Sequence, residues 1–392
     1  MNLKLIKNAE NVEDSILLGN DKILVKEYFD SKYPGIRQAK YYIYNLTTNE
    51  KYEILPKFFK LDIFRIVDAG KRKEYVYFVQ YNNHDGVFNF VRYDYKTKKI
   101  LVLYTIHEDI KKFYTDKKLS IFVLDESNII VQTEKLRRNL SDNYEGYFDF
   151  ELMLYMSKEG KSYTVVDENF VNNGISDMIP VSDNLLAIKT GFSLLEDDRY
   201  QILDKFEVSV ESVSLVNTKQ LISDLIINQN SIIMDNIDQA YYKQTIPYIS
   251  ASGDYLIYSK IDNETREESI FFYNTVNKTV LTCINKDITN AKKLAQPLVI
   301  HNKPYIRVNK SKKTEFLNLK NKKIELSFAS DKIINDICGD IFIITEQKKG
   351  LFGNIKNYIC VYKYPTMAIL HSEKGEYRYS LYDGDSLYIF EK

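Results

Sequence analysis

The feature that most constrains this chain is a hairpin written seven times along it. In "SIFFYNTVNKTVLTC" (269–283) a strand ending in an aromatic residue runs into a polar turn and out into a second strand. The pattern recurs as "YYIYNLTTNEKYEIL" (41–55), "NFVRYDYKTKKILVL" (89–103) and "LMLYMSKEGKSYTVV" (152–166). Further copies are "ESVSLVNTKQLISDL" (211–225), "TEFLNLKNKKIELSF" (314–328) and "YICVYKYPTMAILHS" (358–372). The residue before the turn is Tyr44, Tyr93, Tyr155, Leu215, Tyr273, Leu317 and Tyr362, at spacings of 49, 62, 60, 58, 44 and 45 residues.

A second hairpin precedes each of these. Its copies are "SILLGNDKILVKE", "FRIVDAGKRKEYVYFV", "SIFVLDESNIIVQ", "DMIPVSDNLLAIK", "YISASGDYLIYSK", "PLVIHNKPYIRV", "INDICGDIFIITE" and, at the end, "YSLYDGDSLYIFE". Gly, Asp and Asn punctuate it because they tolerate positive φ or cap the turn with their side chains. Two hairpins make a four-stranded unit, and a four-strand period of this length resembles the blades of β-propeller proteins over essentially the whole chain. The marks of the WD40 and kelch families are missing, the chain having no Trp, so no family's site residues carry over.

Eight first hairpins and seven second hairpins leave the last unit short. Residues 2–7 repair it, since "LKLIKNAENVEDSILLGN" (3–20) parallels "KIELSFASDKIINDICGD" (323–340), where one unit's last strand leads into the next. The expectation is one all-β domain over residues 1–392: an eight-bladed propeller whose last, three-stranded blade joins strands from both ends. Seven blades, with the C-terminal hairpin displaced, is the alternative. The runs "ILV" (23–25), "YVYFV" (75–79), "IIV" (129–131), "YLIY" (255–258) and "IFII" (341–344) are continuously apolar, as strands covered on both faces should be. The tyrosines recur at equivalent positions, which points to packing between blades, each hydroxyl reaching an edge.

Three stretches break the rhythm. Residues 104–118 read as a short helix between blades, 191–210 as an insertion within blade four, and 218–246 as a last strand with an extra loop or helix joining blades four and five. Such excess loops are where function is sought first.

Linear catalytic motifs are absent. No G-x-S-x-G elbow, Walker loop or G-x-G-x-x-G is present. His84, His107, His301 and His371 lack partners at zinc-site spacing, and Glu196–Asp197–Asp198 and Asp235–Asp238 lack the grammar of a calcium loop. Neither a cofactor nor a metal is expected. Cys283, Cys338 and Cys360 are odd in number and far apart, which argues for reduced thiols rather than disulfides. "MNLKLIKNAENVEDS" has no apolar core of a signal peptide, and no apolar run reaches the length of a membrane span, so the expectation is a cytoplasmic monomer without membrane insertion.

Lys+Arg and Asp+Glu both number 54, which removes the bulk electrostatic case for a nucleic-acid binder. The neutral total hides a polarity: residues 291–363 carry 15 Lys/Arg against 6 Asp/Glu, and residues 167–238 carry 4 against 13. Lys310, Lys312, Lys313, Lys322 and Lys323 fall in turns of one blade and form a candidate interaction patch, unless they are simply solvated hairpin residues. The sequence favours a non-catalytic scaffold that binds another protein or a ligand. The alternative is a glycan- or small-molecule-processing enzyme, its residues drawn from several blades around a central channel and so leaving no linear motif.

Overall fold

A computed structural model of the chain describes residues 2–6, 12–18, 22–30, 37–45, 48, 50–54, 63–67, 75–82, 87–94, 96–107, 117–125, 127–138, 145–156, 158–191, 211–227, 232–241, 244–262, 264–284, 296–349, 354–382 and 386–391. Their strands form eight sheets. Seven take their strands in sequence order, within residues 12–53, 63–107, 117–164, 175–240, 244–284, 296–329 and 332–374. The eighth joins Tyr377–Tyr382 and Ser386–Glu391 to Asn2–Ile6, which lies parallel to Ser386–Glu391 with Asn2 opposite Ser386 and Ile6 opposite Phe390. The chain is an eight-bladed β-propeller, its last blade three-stranded and completed by the N-terminal strand. Blade five carries a fifth strand, Gln244–Thr245.

The turns explain why the period is so legible. At the end of the third strand an Asx side chain caps the turn that follows. Asp94 Oδ1 accepts from the amides of Lys96 and Thr97, and Asn274 Oδ1 from those of Val276 and Asn277. Asn45 and Asn318 cap the same turn in blades one and six. Four residues after Asp94, Asn274 and Asn318 the backbone turns left-handed, at Lys98 (φ 57), Lys278 (φ 56) and Lys322 (φ 56), with Gly160 (φ 60) in blade three. The preceding aromatic is buried at Tyr93, Tyr273 and Tyr362, and the Tyr362 hydroxyl donates to Glu346. Packing is therefore what the repeated tyrosine does there.

The second strands are the most buried, as in Ile23–Val25, Leu186–Ile188, Tyr255–Tyr258 and Ile341–Ile344. Neighbouring blades share apolar layers. Ile341, Ile343, Ile359 and Val361 of blade seven meet Leu387 and Ile389 of blade eight, with Leu3 and Leu5 packed against them. Each such side chain, fully buried, stabilises the fold by roughly 1.5–3 kcal/mol relative to exposure. The chain divides into two compact units, residues 1–56 with 287–392, and residues 57–286. Blades one, six, seven and eight belong to the first, and blades two to five to the second.

Two local expectations are corrected. Residues 104–107 continue the fourth strand of blade two, Lys99–His107, instead of opening a helix; residues 108–116 lie outside the described residues. The stretch 218–225 is not the last strand of blade four. Helix α1 spans Glu168–Asn173, and helix α2 occupies Thr218–Ile226, so the fourth strand comes later, at Asp235–Ala240. Asn217 caps α2 by accepting from the amides of Lys219 and Gln220, and Leu221, Ile222 and Leu225 bury one face against the core shared by blades three and four. Residues 192–210, with Glu196, Asp197 and Asp198, lie outside the described residues, as does His84.

Candidate functional site

Among the described residues the first strand of each blade pairs on one side only. In three blades that strand carries the same irregularity. The register skips one residue between Val12 and Asp14 in blade one, between Ile175 and Asp177 in blade four, and between Ile334 and Asp336 in blade seven. Each is a β-bulge with an aspartate directly after it, spelled Val-Glu-Asp, Ile-Ser-Asp and Ile-Asn-Asp. In blades four and seven the carboxylate holds the backbone just beyond the bulge, since Asp177 Oδ1 accepts from the Met178 amide and Asp336 Oδ1 from the Ile337 amide, both at 2.8 Å. Bulges re-aim side chains and gather beside functional sites.

The three aspartates differ in what stands across the strand pair. Lys26 is opposite Asp14, and Lys189 is opposite Asp177. Burial raises the Asp177 carboxyl above its ordinary value and the Lys189 charge opposes that. Opposite Asp336 stands Ile343, fully buried in the layer shared with blade eight. The third carboxylate thus has an apolar neighbour where the other two have a lysine.

Its remaining partners come from the first strand of blade eight, Tyr377–Tyr382, which bulges too, between Tyr377 and Tyr379. Ser380 Oγ donates to Asp336 Oδ2 at 2.5 Å, and the Tyr377 hydroxyl lies 3.2 Å from Ser380 Oγ and 3.5 Å from Asp336 Oδ2. Cys338 Sγ is 3.8 Å from Ser380 Oγ. All four side chains are half-buried. Burial and the Asp336 charge push the Cys338 thiol up to about 12. Burial likewise pushes the Tyr377 hydroxyl up. Among the described residues no lysine, arginine or histidine forms an ion pair with Asp336, and no group of three His, Cys, Asp or Glu is placed to hold a metal ion. The arrangement brings together a carboxylate and two hydroxyl oxygens from two neighbouring first strands.

The lysines singled out from the sequence do not converge on one spot. Lys310, Lys312 and Lys313 lie at the turn that opens the third strand of blade six, Lys313–Asn318; Lys322 and Lys323 lie beyond its other end. Lys310 and Lys313 both bind Glu315, Lys310 at 2.5 Å, and these bonds hold that carboxyl below its ordinary value. Lys322 occupies the left-handed turn position described above. Lys312, Lys322 and Lys323 are exposed. Of the histidines, His301 sits in a turn with its ring 6.3 Å from that of Tyr364, and His371 stands 3.6 Å from Glu373 on an outer strand. None of Cys283, Cys338 and Cys360 is disulfide-bonded among the described residues. No helix among the described residues is long and apolar enough to cross a membrane.

No protein-family model matches the chain, and a search of curated proteins finds no match. Solved structures do match in fold. Dipeptidyl peptidase 4 of Porphyromonas gingivalis is 11% identical, with a TM-score of 0.53 over 92% of this chain and 52% of that one. The acylaminoacyl peptidase of Pyrococcus horikoshii is 9% identical, with a TM-score of 0.46 over 96% of this chain and 56% of that one. The β-propeller domain of the Trilobed protease from Pyrococcus furiosus is 8% identical, with a TM-score of 0.46 over 93% of this chain and 94% of that one. The chain spans about half the length of the dipeptidyl peptidase chain. These likenesses are of fold.

The match to dipeptidyl peptidase 4 corrects the expectation of a non-catalytic scaffold. That expectation rested on missing linear motifs, and residues drawn one by one from separate strands, as Asp336 and Ser380 are brought together here, leave no contiguous signature.

Proposed function

We propose that this chain acts in an enzyme that processes small peptide substrates, with the first strands of blades seven and eight as its substrate-binding surface. The observation that carries this reading is the match to a dipeptidyl peptidase at a TM-score of 0.53 across nearly the whole chain. The cluster of Asp336, Tyr377 and Ser380 supports it by offering polar acceptors from two strands where a bulge re-aims the carboxylate.

The role assigned to the cluster is binding. A serine nucleophile needs a base that takes its proton, most often histidine. Among the described residues Ser380 has only a carboxylate, a tyrosine and a thiol about it. Asp336 therefore orients Ser380 as a hydrogen-bonding group, and the groups that would cleave a peptide lie elsewhere in the enzyme.

The test is turnover by the purified full chain of a panel of short peptide amides, amino-terminally free and blocked, followed by mass spectrometry, with oligosaccharides in a parallel arm. Peptide cleavage whose KM rises in Asp336→Asn is the expected result. Cleavage of no peptide, or of oligosaccharides alone, would overturn the reading.

A further inference from the structure

Three bulged first strands carry the same aspartate, and only blades one and four set a lysine opposite it. Partly burying a carboxylate without a counter-charge is costly, because neutral partners satisfy its hydrogen bonds but leave its charge unbalanced. In blade seven Ile343 cannot be exchanged for a lysine without opening the apolar layer that it shares with Leu387 and Ile389. Among the described residues the charge on Asp336 thus has no cationic partner, while blade eight brings Tyr377 and Ser380 to it.

We propose that Asp336, Ser380 and Tyr377 form a binding site for a primary ammonium group, supplied by a ligand and standing where blades one and four have a lysine. An ammonium has three donors and a single positive charge. Asp336 supplies the opposite charge, and the free lone pairs of its carboxylate, of Ser380 Oγ and of the Tyr377 hydroxyl supply acceptors. The donor set disfavours a metal ion: beside one carboxylate and one thiol it has only neutral hydroxyls, and among the described residues no group of three His, Cys, Asp or Glu is placed to hold one. A neutral polyol would leave the charge as it is. A peptide can present such a group at its amino terminus or on a lysine side chain. The site rests on the geometry of blades seven and eight and stands whether or not the chain takes part in peptide cleavage.

Binding to the full chain at neutral pH is read by ligand-observed NMR. The probes are n-butylammonium, the neutral n-butanol, alanyl-alanine with its free α-ammonium, and Nα-acetyl-lysine amide with only its side-chain ammonium. Butylammonium and at least one of the two amino-acid probes should bind saturably, butanol should not, and the better amino-acid probe names the source of the ammonium. Asp336→Asn, which keeps the side chain's shape, should weaken binding about tenfold or more. Ser380→Ala and Tyr377→Phe should weaken it less and provide the readout if Asp336→Asn does not fold. Equal binding of butanol and butylammonium, no saturable binding of any amine, or full affinity in a folded Asp336→Asn protein would overturn the proposal. Amine binding without turnover would overturn only the enzymatic reading, and turnover without amine binding only this one.

Discussion

Gln132 of blade three uses its side-chain amide as a short strand against Ile175, the first residue of blade four: Nε2 donates to the Ile175 carbonyl at 2.9 Å, and Oε1 accepts from the Ile175 amide at 2.7 Å. Gln132 is 2% exposed and Ile175 is 1% exposed. The amide therefore satisfies both backbone groups at a place where water does not compete. Gln132→Ala should orphan both of them and destabilise the fold by about 1–3 kcal/mol for each group left unpaired. Urea denaturation followed by circular dichroism reads this directly. Gln132→Glu, which keeps the acceptor but sets a second carboxylate oxygen against the Ile175 carbonyl and buries a charge, should cost at least as much as Gln132→Ala.

The strand Asn2–Ile6 makes a separable contribution to blade eight. Its pairing covers one edge of Ser386–Glu391, and Leu3 and Leu5 pack on the layer of Leu387 and Ile389. Removing residues 1–6 exposes a buried strand edge together with that apolar layer. The shortened chain should melt several degrees lower and self-associate, as scanning calorimetry and light scattering would register. An unchanged melting temperature would mean that Ser386–Glu391 holds its place without the strand.

The eight blades were legible in the sequence because their turns obey a local rule. An Asx side chain such as Asp94 or Asn274 caps the turn, and a left-handed residue follows four positions on, with both signals inside five residues. The end of blade four was not legible for the opposite reason. "TKQLISDL" has the apolar count of a strand, and only the Asn217 cap and the helical spacing of Leu221, Ile222 and Leu225 mark it as α2. The aspartate bulges had a signal, Val-Glu-Asp, Ile-Ser-Asp and Ile-Asn-Asp, but one extra residue disturbs alternation too briefly to stand out. What distinguishes Asp336 was beyond local reading: it depends on Ile343 across the sheet and on Ser380, 44 residues away in the next blade.

Lys189 and Glu211 form a buried pair at 2.8 Å, with Glu211 Oε2 also accepting from the Ile246 amide at 2.5 Å. Both side chains are nearly inaccessible, so Glu211→Ala leaves a buried ammonium and should cost about 3–5 kcal/mol. Burial raises the Glu211 carboxyl above its ordinary value, outweighing the pull of Lys189. A raised carboxyl binds its proton in the folded state at pH values where the unfolded chain has already released it. The stability contributed by this titration is therefore fully present below the unfolded glutamate value and is lost as pH rises through the folded one. Urea midpoints of wild type and Glu211→Gln between about pH 5 and 8 should show the shallower pH dependence in the variant. Parallel curves would assign the slope to other groups.

Gly174, which ends α1, has φ 67 and lies under the Phe150 ring: a Cβ there would meet Phe150 Cε1 at 2.6 Å. Gly160 also has a positive φ, 60, with nothing within 4 Å of the Cβ position, whereas Gly174 joins its φ to ψ 166, a combination that essentially only glycine adopts. Gly160→Ala should cost only the left-handed penalty, about 1–2 kcal/mol. Gly174→Ala adds a larger backbone penalty and overpacking of a buried ring, together roughly 1–3 kcal/mol more. Urea midpoints read the difference, and Gly174→Ala with Phe150→Leu should recover the part that the ring contributes. No recovery would assign the whole excess to the backbone.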